Sequence, residues 1–120
     1  MTTKTITIPT LPADHHNAGL ILKEDGTPDY WLTVLPGELE AADWQTAMDW
    51  AKAQGGDLPN LRDLNLLRTN ARHLFKNDWY WSNQKRTEKT AFNQDFDYGG
   101  QVIDDLSAEL RVRAVSRIQL

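Results

Sequence analysis

Two groups of side chains in this sequence carry ligand types that bind metal ions. Asp14, His15 and His16 stand side by side and offer two imidazoles and a carboxylate, which suit a transition metal. Four acids around the Gly99-Gly100 pair offer oxygens of the kind that calcium prefers; they are Asp95, Asp97, Asp104 and Asp105. Adjacent loop side chains seldom converge on one ion, and the spacing of the acids does not match an EF-hand loop. We therefore expect no metal and no cofactor.

Residues that catalyse reactions are equally sparse. The chain has no cysteine, which excludes a thiol nucleophile and any disulfide. It also lacks a phosphate-binding glycine loop, a His-Glu-x-x-His helix and a Gly-x-Ser-x-Gly turn, and His73 stands alone. The sequence predicts a protein that binds rather than catalyses.

The aromatic run Trp79-Tyr80-Trp81 could stack on a sugar or a base. Alternate side chains of a strand point to opposite faces, so Trp79 and Trp81 share one face and Tyr80 lies on the other. We interpret the tryptophan pair as core residues. Tyr80 is then the expected contact residue.

Two polar segments in the last third, 83–90 and 97–105, are predicted to be loops. Binding residues concentrate on loops that a rigid scaffold holds in place. With Tyr80, the residues Lys85, Arg86, Asp97 and Tyr98 form the predicted contact surface for a protein or for a glycan.

A second candidate is the row of arginines at 111, 113 and 117 in the closing segment. Such a row could meet a phosphate or an acidic protein. The simpler interpretation is a solvent-facing side of a strand, paired with acids such as Glu109.

Composition limits the partners and the setting. The 120 residues suit one domain, 1–120, and the net charge is −4. Residues 1–60 hold three Lys or Arg against nine Asp or Glu, and residues 61–120 hold ten against eight, so neither half is basic enough for nucleic acid. No stretch is apolar enough for a membrane span or a signal peptide. We expect a cytoplasmic protein or a virion protein, with no nucleic-acid or membrane partner.

Periodicity predicts an α+β fold with a mainly antiparallel sheet. From 110 to 120 the even positions are mostly apolar, which predicts one half-buried closing strand that pairs with residues 3–8 or 30–35. Helices are expected near 43–54 and 60–72. Other strands are expected at 5–8, 20–22, 30–35, 79–82, 91–96 and 101–103.

Both helices carry recognisable end signals. Asp43 and Asn60 are expected N-caps, and Asp63 three residues after Asn60 resembles a capping box. Gly55 is expected to end the first helix in a left-handed conformation.

Several motifs occur in a fixed order along residues 18–118. They are 29–37 with its Pro36-Gly37 end, Trp44 with Gly55-Gly56-Asp57-Leu58-Pro59-Asn60, the run Trp79-Tyr80-Trp81-Ser82, and 109–115. This order resembles a family of phage and prophage proteins of unknown function related to the C-terminal domain of the Lcl adhesin.

The resemblance implies a C-type-lectin-like fold, in which N- and C-terminal strands pair and two helices flank a small sheet. Binding surfaces of that fold usually lie on loops between the late strands. The calcium motifs and disulfides of sugar-binding C-type lectins are absent from this sequence. Two functions stay open: a phage binding module that recognises a protein or glycan, and an intracellular phage accessory protein that binds and inhibits or redirects a host protein.

Overall fold

The computed structural model describes residues 5–120 and shows an α+β fold with two helices and two β-sheets. One sheet has the strand order β1-β2-β8, and the other has the order β3-β7-β4-β5-β6. The elements are β1 His16–Leu22, β2 Pro28–Val34, β3 Leu39–Ala42, α1 Trp44–Ala53, α2 Leu61–Asn70, a 3₁₀ turn Arg72–Leu74, β4 Trp79–Thr87, β5 Thr90–Asp95, β6 Gln101–Asp105, β7 Leu110–Val112 and β8 Val115–Gln119.

The helices begin and end as their end signals predict. The Asp43 carboxylate accepts the backbone N–H of Thr46 at 2.8 Å, which caps α1. Gly55 follows α1 with φ of 84°, a conformation that costs other residues steric energy. At α2, Asn60 and Asp63 accept each other's backbone N–H groups and form a complete capping box.

Strand β2 occupies the centre of the three-stranded sheet. The Asp25-Gly26 turn joins it to β1, and on its other side Tyr30–Val34 pairs with Val115–Gln119. The predicted pairing of 30–35 with the closing segment is therefore found. The alternative partner is not: residues 5–8 form no strand, and residues 3 and 4 lie outside the described part of the chain. β1 and β8 flank β2 on opposite sides and do not pair with each other.

The closing segment is two strands, not the single strand that alternation predicted. β7 belongs to the five-stranded sheet and β8 to the three-stranded sheet, and Arg113-Ala114 lies between them. Ala114 and Val115 are both buried, so the period of two shifts by one residue at this point. The backbone explains the break, because the Ala114 carbonyl accepts the N–H of Leu35 at 3.0 Å where the chain passes between the sheets.

Two apolar cores lie on either side of this crossing. The first joins the three-stranded sheet, α2 and late aromatic residues; it includes Leu32, Val34, Leu64, Leu67, Tyr80 and Phe96. The second joins α1 to the five-stranded sheet and includes Trp44, Ala47, Ala51, Trp81, Ala91 and Val112. α2 packs against β1 and also against β4 and β5, so one helix contacts both sheets.

Both predicted late loops are largely strand. β4 continues through Asn83 to Thr87 and turns at 88–89 into β5, and residues 101–105 of the predicted loop 97–105 form β6. The end of β4 is exposed on both faces, so its polar sequence resembles that of a loop although its backbone is paired. Among residues 5–120, no helix has the length and apolar character needed to cross a membrane.

Candidate binding surface

Tyr80 is a core residue, so its predicted role as a surface contact is wrong. Its side chain is 1% exposed and packs edge-on against Phe75 and Phe96. Its hydroxyl donates to the Glu38 carboxylate and accepts the backbone N–H of Lys76. Burial, and then the hydrogen bond to Glu38, raise the pKa of Tyr80 far above its usual range.

The two tryptophans of the same run have different environments. Trp81 is fully buried and donates its indole N–H to the Ala42 carbonyl at 2.8 Å. Trp79 stands at the end of the β4–β5 ladder, opposite Asp95, and is 46% exposed. Helices cover both faces of β4, α1 contacting one core and α2 the other, and so both Tyr80 and Trp81 are enclosed. The exposed aromatic residue of the run is Trp79.

The predicted contact residues do not converge on one surface. Lys85 pairs with Ala91 near the β4–β5 turn, and its ammonium lies 5.2 Å from the ring centroid of Trp44. Asp97 and Tyr98 follow the opposite end of β5. At roughly 3.3 Å per residue, the four steps from Ala91 to Asp95 separate the two ends by about 13 Å along the strand. Lys85 and Arg86 therefore form one end of the hairpin, and Asp97 and Tyr98 the other.

The end with Asp97 and Tyr98 carries a group of exposed side chains that we call the late-strand surface. Tyr98 is 87% exposed, and Val102 and Ile103 on β6 are 44% and 49% exposed. Asp97 is also exposed. The late-strand surface comprises Trp79, Asp97, Tyr98 and Val102; Ile103 lies on the opposite face of β6. Large aromatic and branched side chains that stay exposed on a structured frame are typical of interaction sites.

The turn that presents Tyr98 is held in place by α2. Arg68 donates from Nη2 to the Asp97 carbonyl at 2.7 Å and from Nε to the Phe96 carbonyl at 3.3 Å. Arg72 adds a third bond, to the Asp97 carbonyl at 3.1 Å. Gly99 has φ of 93°, and a side chain there would meet the Arg68 guanidinium at 2.9 Å. These hydrogen bonds and Gly99 together hold the backbone of the turn in place beneath the exposed tyrosine.

The three arginines of the closing segment do not form a solvent-facing row. Arg111 binds Glu38 at 3.2 Å and Asp78 at 2.8 Å. Arg113 donates to the Leu35 and Leu74 carbonyls and lies over the Phe75 ring. Burial lowers the pKa of Arg113.

Arg117 enters the most buried ionic cluster. It binds Asp57 at 2.8 Å and Asp63 at 2.7 Å, and Asp63 is completely buried. The Tyr30 hydroxyl donates to the other Asp63 oxygen at 2.6 Å. Burial alone would lower the pKa of Arg117, but the hydrogen bond with Asp57 and the charge of Asp63 raise it. Neither a phosphate nor an acidic partner can reach a guanidinium that is already engaged in this way.

The acids and histidines considered as metal ligands are held by other contacts. The His16 and His73 rings meet edge-on, 5.2 Å apart. Asp104 accepts from Asn93, Asp105 from Ser107, and Asp95 from the N–H of Asp97. Within the part of the chain that the structure describes, no three His, Asp or Glu side chains are grouped so as to hold a metal ion.

A shallow groove lies between β1 and α2. Its volume is about 340 Å³, and its walls include Leu20, Leu66 and Arg62. Arg62 donates to the Leu22 carbonyl, and Asn70 donates to the Ala18 carbonyl at 2.8 Å. Side chains of α2 therefore bond to two carbonyls of β1 and join the helix to the strand along this groove.

Comparison with known proteins does not extend this description. No model of a known protein family matches the chain, and no curated protein matches it significantly in sequence.

Proposed function

We propose that this protein is a non-catalytic binding module of C-type-lectin-like fold that recognises a protein partner through the late-strand surface. The observation that carries the proposal is the 87% exposure of Tyr98 on a turn whose backbone is bonded by Arg68 of α2 and Arg72 of the following 3₁₀ turn. A rigid aromatic anchor loses little conformational entropy on binding and buries a large area.

The fold assignment rests on the resemblance to the phage and prophage family and on three compatible features. The molecule has two helices, β2 joins the closing strand β8, and the late strands β4 to β6 form one continuous ladder. In the C-type-lectin-like fold the late strands and their turns form the usual interaction side. The late-strand surface lies in the corresponding part of this chain.

A protein partner fits the surface better than a glycan does. Val102 adds exposed branched apolar area on the same face of the late strands as Trp79, and sugar-binding sites depend more on polar groups directed at hydroxyls. Both settings expected from the family, a virion module and an intracellular accessory protein, require only such a protein-binding surface.

The test is a selection of binders from a peptide display library and from a glycan array, followed by binding measurements on variants. Trp79→Ala and Tyr98→Ala should each weaken the selected peptide ligands by tenfold or more, because a buried aromatic anchor contributes roughly 2 kcal/mol or more. Arg86→Ala is the control, since Arg86 is exposed at the opposite end of the hairpin.

All three variants should have the same melting temperature as the wild-type protein. Ligands that bind the Trp79→Ala and Tyr98→Ala variants as tightly as the wild type would exclude the late-strand surface. Ligands found only among glycans would exclude a protein partner.

A further inference from the structure

The hydrogen-bond pattern of β6 shows which of its backbone groups face outward. The Asp95 N–H donates to the Gly100 carbonyl and the Leu106 N–H donates to the Lys89 carbonyl, both across the β5–β6 ladder. In an antiparallel ladder hydrogen-bonded and non-bonded pairs alternate. With Asn93 opposite Val102 and Ala91 opposite Asp104, the inward groups belong to 100, 102, 104 and 106. Those of Gln101, Ile103 and Asp105 therefore point away from β5.

These outward groups have almost no partners within residues 5–120. The Asp105 carbonyl accepts the N–H of Ala108 at 2.9 Å, which closes a turn. The N–H groups of Gln101, Ile103 and Asp105 and the carbonyls of Gln101 and Ile103 have no protein partner there. Three donors and two acceptors thus form an open edge at the side of the five-stranded sheet.

This edge lacks the protection that other strands have. Arg62 and Asn70 cap carbonyls of β1, and Asp57 exchanges two backbone hydrogen bonds with Val115 of β8. Natural edge strands commonly carry lysine, proline or an inward charge against pairing with another strand. β6 instead exposes Val102 and Ile103, one on each face.

Charge identifies the kind of strand that fits. The segment 90–110 holds five acids and neither lysine nor arginine; the acids are Asp95, Asp97, Asp104, Asp105 and Glu109. Hydrogen bonds with Ser107 lower the pKa of Asp105, so its carboxylate is charged at neutral pH. A second copy would bring the same acids and another net charge of −4 to the edge, whereas a basic strand is complementary.

We propose that the β6 edge accepts an extended basic segment of a partner protein as an added strand. This proposal rests on the proposed function, because it specifies how the late-strand surface holds its partner. An antiparallel segment would place an apolar residue opposite Ile103 and basic residues opposite Asp104 and Asp105. Backbone bonds to Gln101 and Ile103 supply affinity, and the two acids supply selectivity.

The probe is a capped peptide that contains Lys-Lys-Val-Val-Thr, added to the ¹⁵N-labelled full chain. The amides of Gln101, Ile103 and Asp105 should shift, and those of the β1 edge should not. A peptide with both lysines replaced by glutamate should bind roughly tenfold or more weakly. A peptide N-methylated at the first valine and at the threonine, the residues opposite Ile103 and Gln101, should lose a similar factor, since it cannot donate to the carbonyls of those two residues.

Variants of the protein complete the test. Ile103→Pro removes an outward N–H and no bond to β5, so it should melt as a folded protein and lose the peptide. Asp105→Asn keeps the acceptor for Ser107 and should bind several-fold more weakly. The N-methylated peptide tests the reverse hydrogen bond of the same residue pair, to the Ile103 carbonyl, on the wild-type protein, whether or not the proline variant folds.

Three results would overturn the inference. They are an absence of shifts at about 1 mM peptide, equal binding of the N-methylated peptide, and a dimer of the free protein that Ile103→Pro dissociates. If partners still depend on Trp79 and Tyr98 while the peptide fails, the proposed function stands and strand addition alone is wrong. If partners bind without those aromatics, the proposed function fails first.

Discussion

Helix α2 lies beside strands at two sides of the molecule, and its hydrogen bonds to the two strand edges differ. At β1, its Arg62 and Asn70 side chains reach across and bond to outward carbonyls. At β6, the one hydrogen bond described between the strand and the helix backbone runs from the Gln101 side chain to the Leu61 carbonyl, and the β6 backbone stays open. The comparison shows that a strand edge can stay open even when a helix lies next to it. The same helix closes one edge with its side chains and leaves the other available.

The largest effect should come from Arg117→Met, which tests whether α2 is anchored independently of either edge. This change leaves the buried Asp63 carboxylate at the start of α2 without its cationic partner. Breaking a buried ion pair from one side typically costs about 3–5 kcal/mol. Urea unfolding should show that loss with an unchanged denaturant slope.

The matched control for Arg117→Met is Lys52→Met, since Lys52 is an exposed cation in the last turn of α1. Its change in unfolding free energy should stay within about 0.5 kcal/mol. A loss of under 1 kcal/mol for Arg117→Met would mean that the ionic cluster does not hold α2 in place.

The next effect is that of Asn70→Ala, which should make the β1 edge resemble the β6 edge. It removes the hydrogen bond to the Ala18 carbonyl and should cost about 1 kcal/mol. The variant should also self-associate more readily, because a capped edge becomes an open one. Thermal melts and light scattering measure the two consequences.

Thr69→Ala is the control for Asn70→Ala, since Thr69 is an exposed neighbour whose hydroxyl bonds only within α2, to the Asn65 carbonyl. If the Asn70→Ala variant scatters light no more than the wild-type protein, side chains of α2 do not protect β1 from self-association.

A smaller, pH-dependent effect is expected at the open edge. Hydrogen bonds with Ser107 lower the pKa of Asp105 below its ordinary value of 3.8. A carboxylate with a lowered folded-state pKa stabilises the protein above its unfolded pKa, and that contribution disappears as the pH falls through the folded value. Asp105→Asn should therefore be slightly less stable than the wild type at pH 7.

The difference between the two proteins should begin to shrink below pH 3.8 and vanish below the lower folded-state pKa of Asp105, which melts at a series of pH values would follow. A gap that persists unchanged in acid would show that the charge of Asp105 is not its cause.

The smallest effect on folding belongs to Tyr98→Ala. The side chain is exposed and Gly99, not Tyr98, adopts the left-handed conformation of the turn. The free energy of unfolding should change by less than about 0.5 kcal/mol. In contrast, Tyr80→Ala should cost roughly 3–5 kcal/mol, because it empties a packed site in the first core. Comparable losses at the two tyrosines would contradict the division between core and binding surface.

Local signals made the helices predictable and non-local packing made the site difficult. Asp43, Asn60 and Gly55 act within a few residues of themselves, so their patterns determine helix ends wherever the helices lie. Tyr80 is buried because two helices cover opposite faces of β4. Alternation within one strand does not encode this packing. Asp97 and Tyr98 could be predicted because glycines mark their turn. Trp79 could not, since only its position at the end of a ladder exposes it.

The closing segment shows the same limit. The alternation of apolar and polar residues holds as far as Ala114 and shifts at Val115. The shift arises because Ala114 bonds to Leu35 and Val115 pairs with Asp57, and both partners lie far away in sequence. The arginines face inward because acids distant along the chain meet them there. The polar residues of 83–90 resemble a loop because a hairpin with both faces in water needs no apolar side chains.

The division of residues 110–119 between two sheets has a consequence for how the protein is made. β7 joins β3 to β4, and β8 completes the other sheet beside β2, so neither sheet is whole until this segment has left the ribosome. Contacts of such long sequence separation slow folding. A nascent chain that stops before residue 110 would display an unpaired β2 flank and an unanchored α2, and chaperone capture should be strongest in that interval of synthesis.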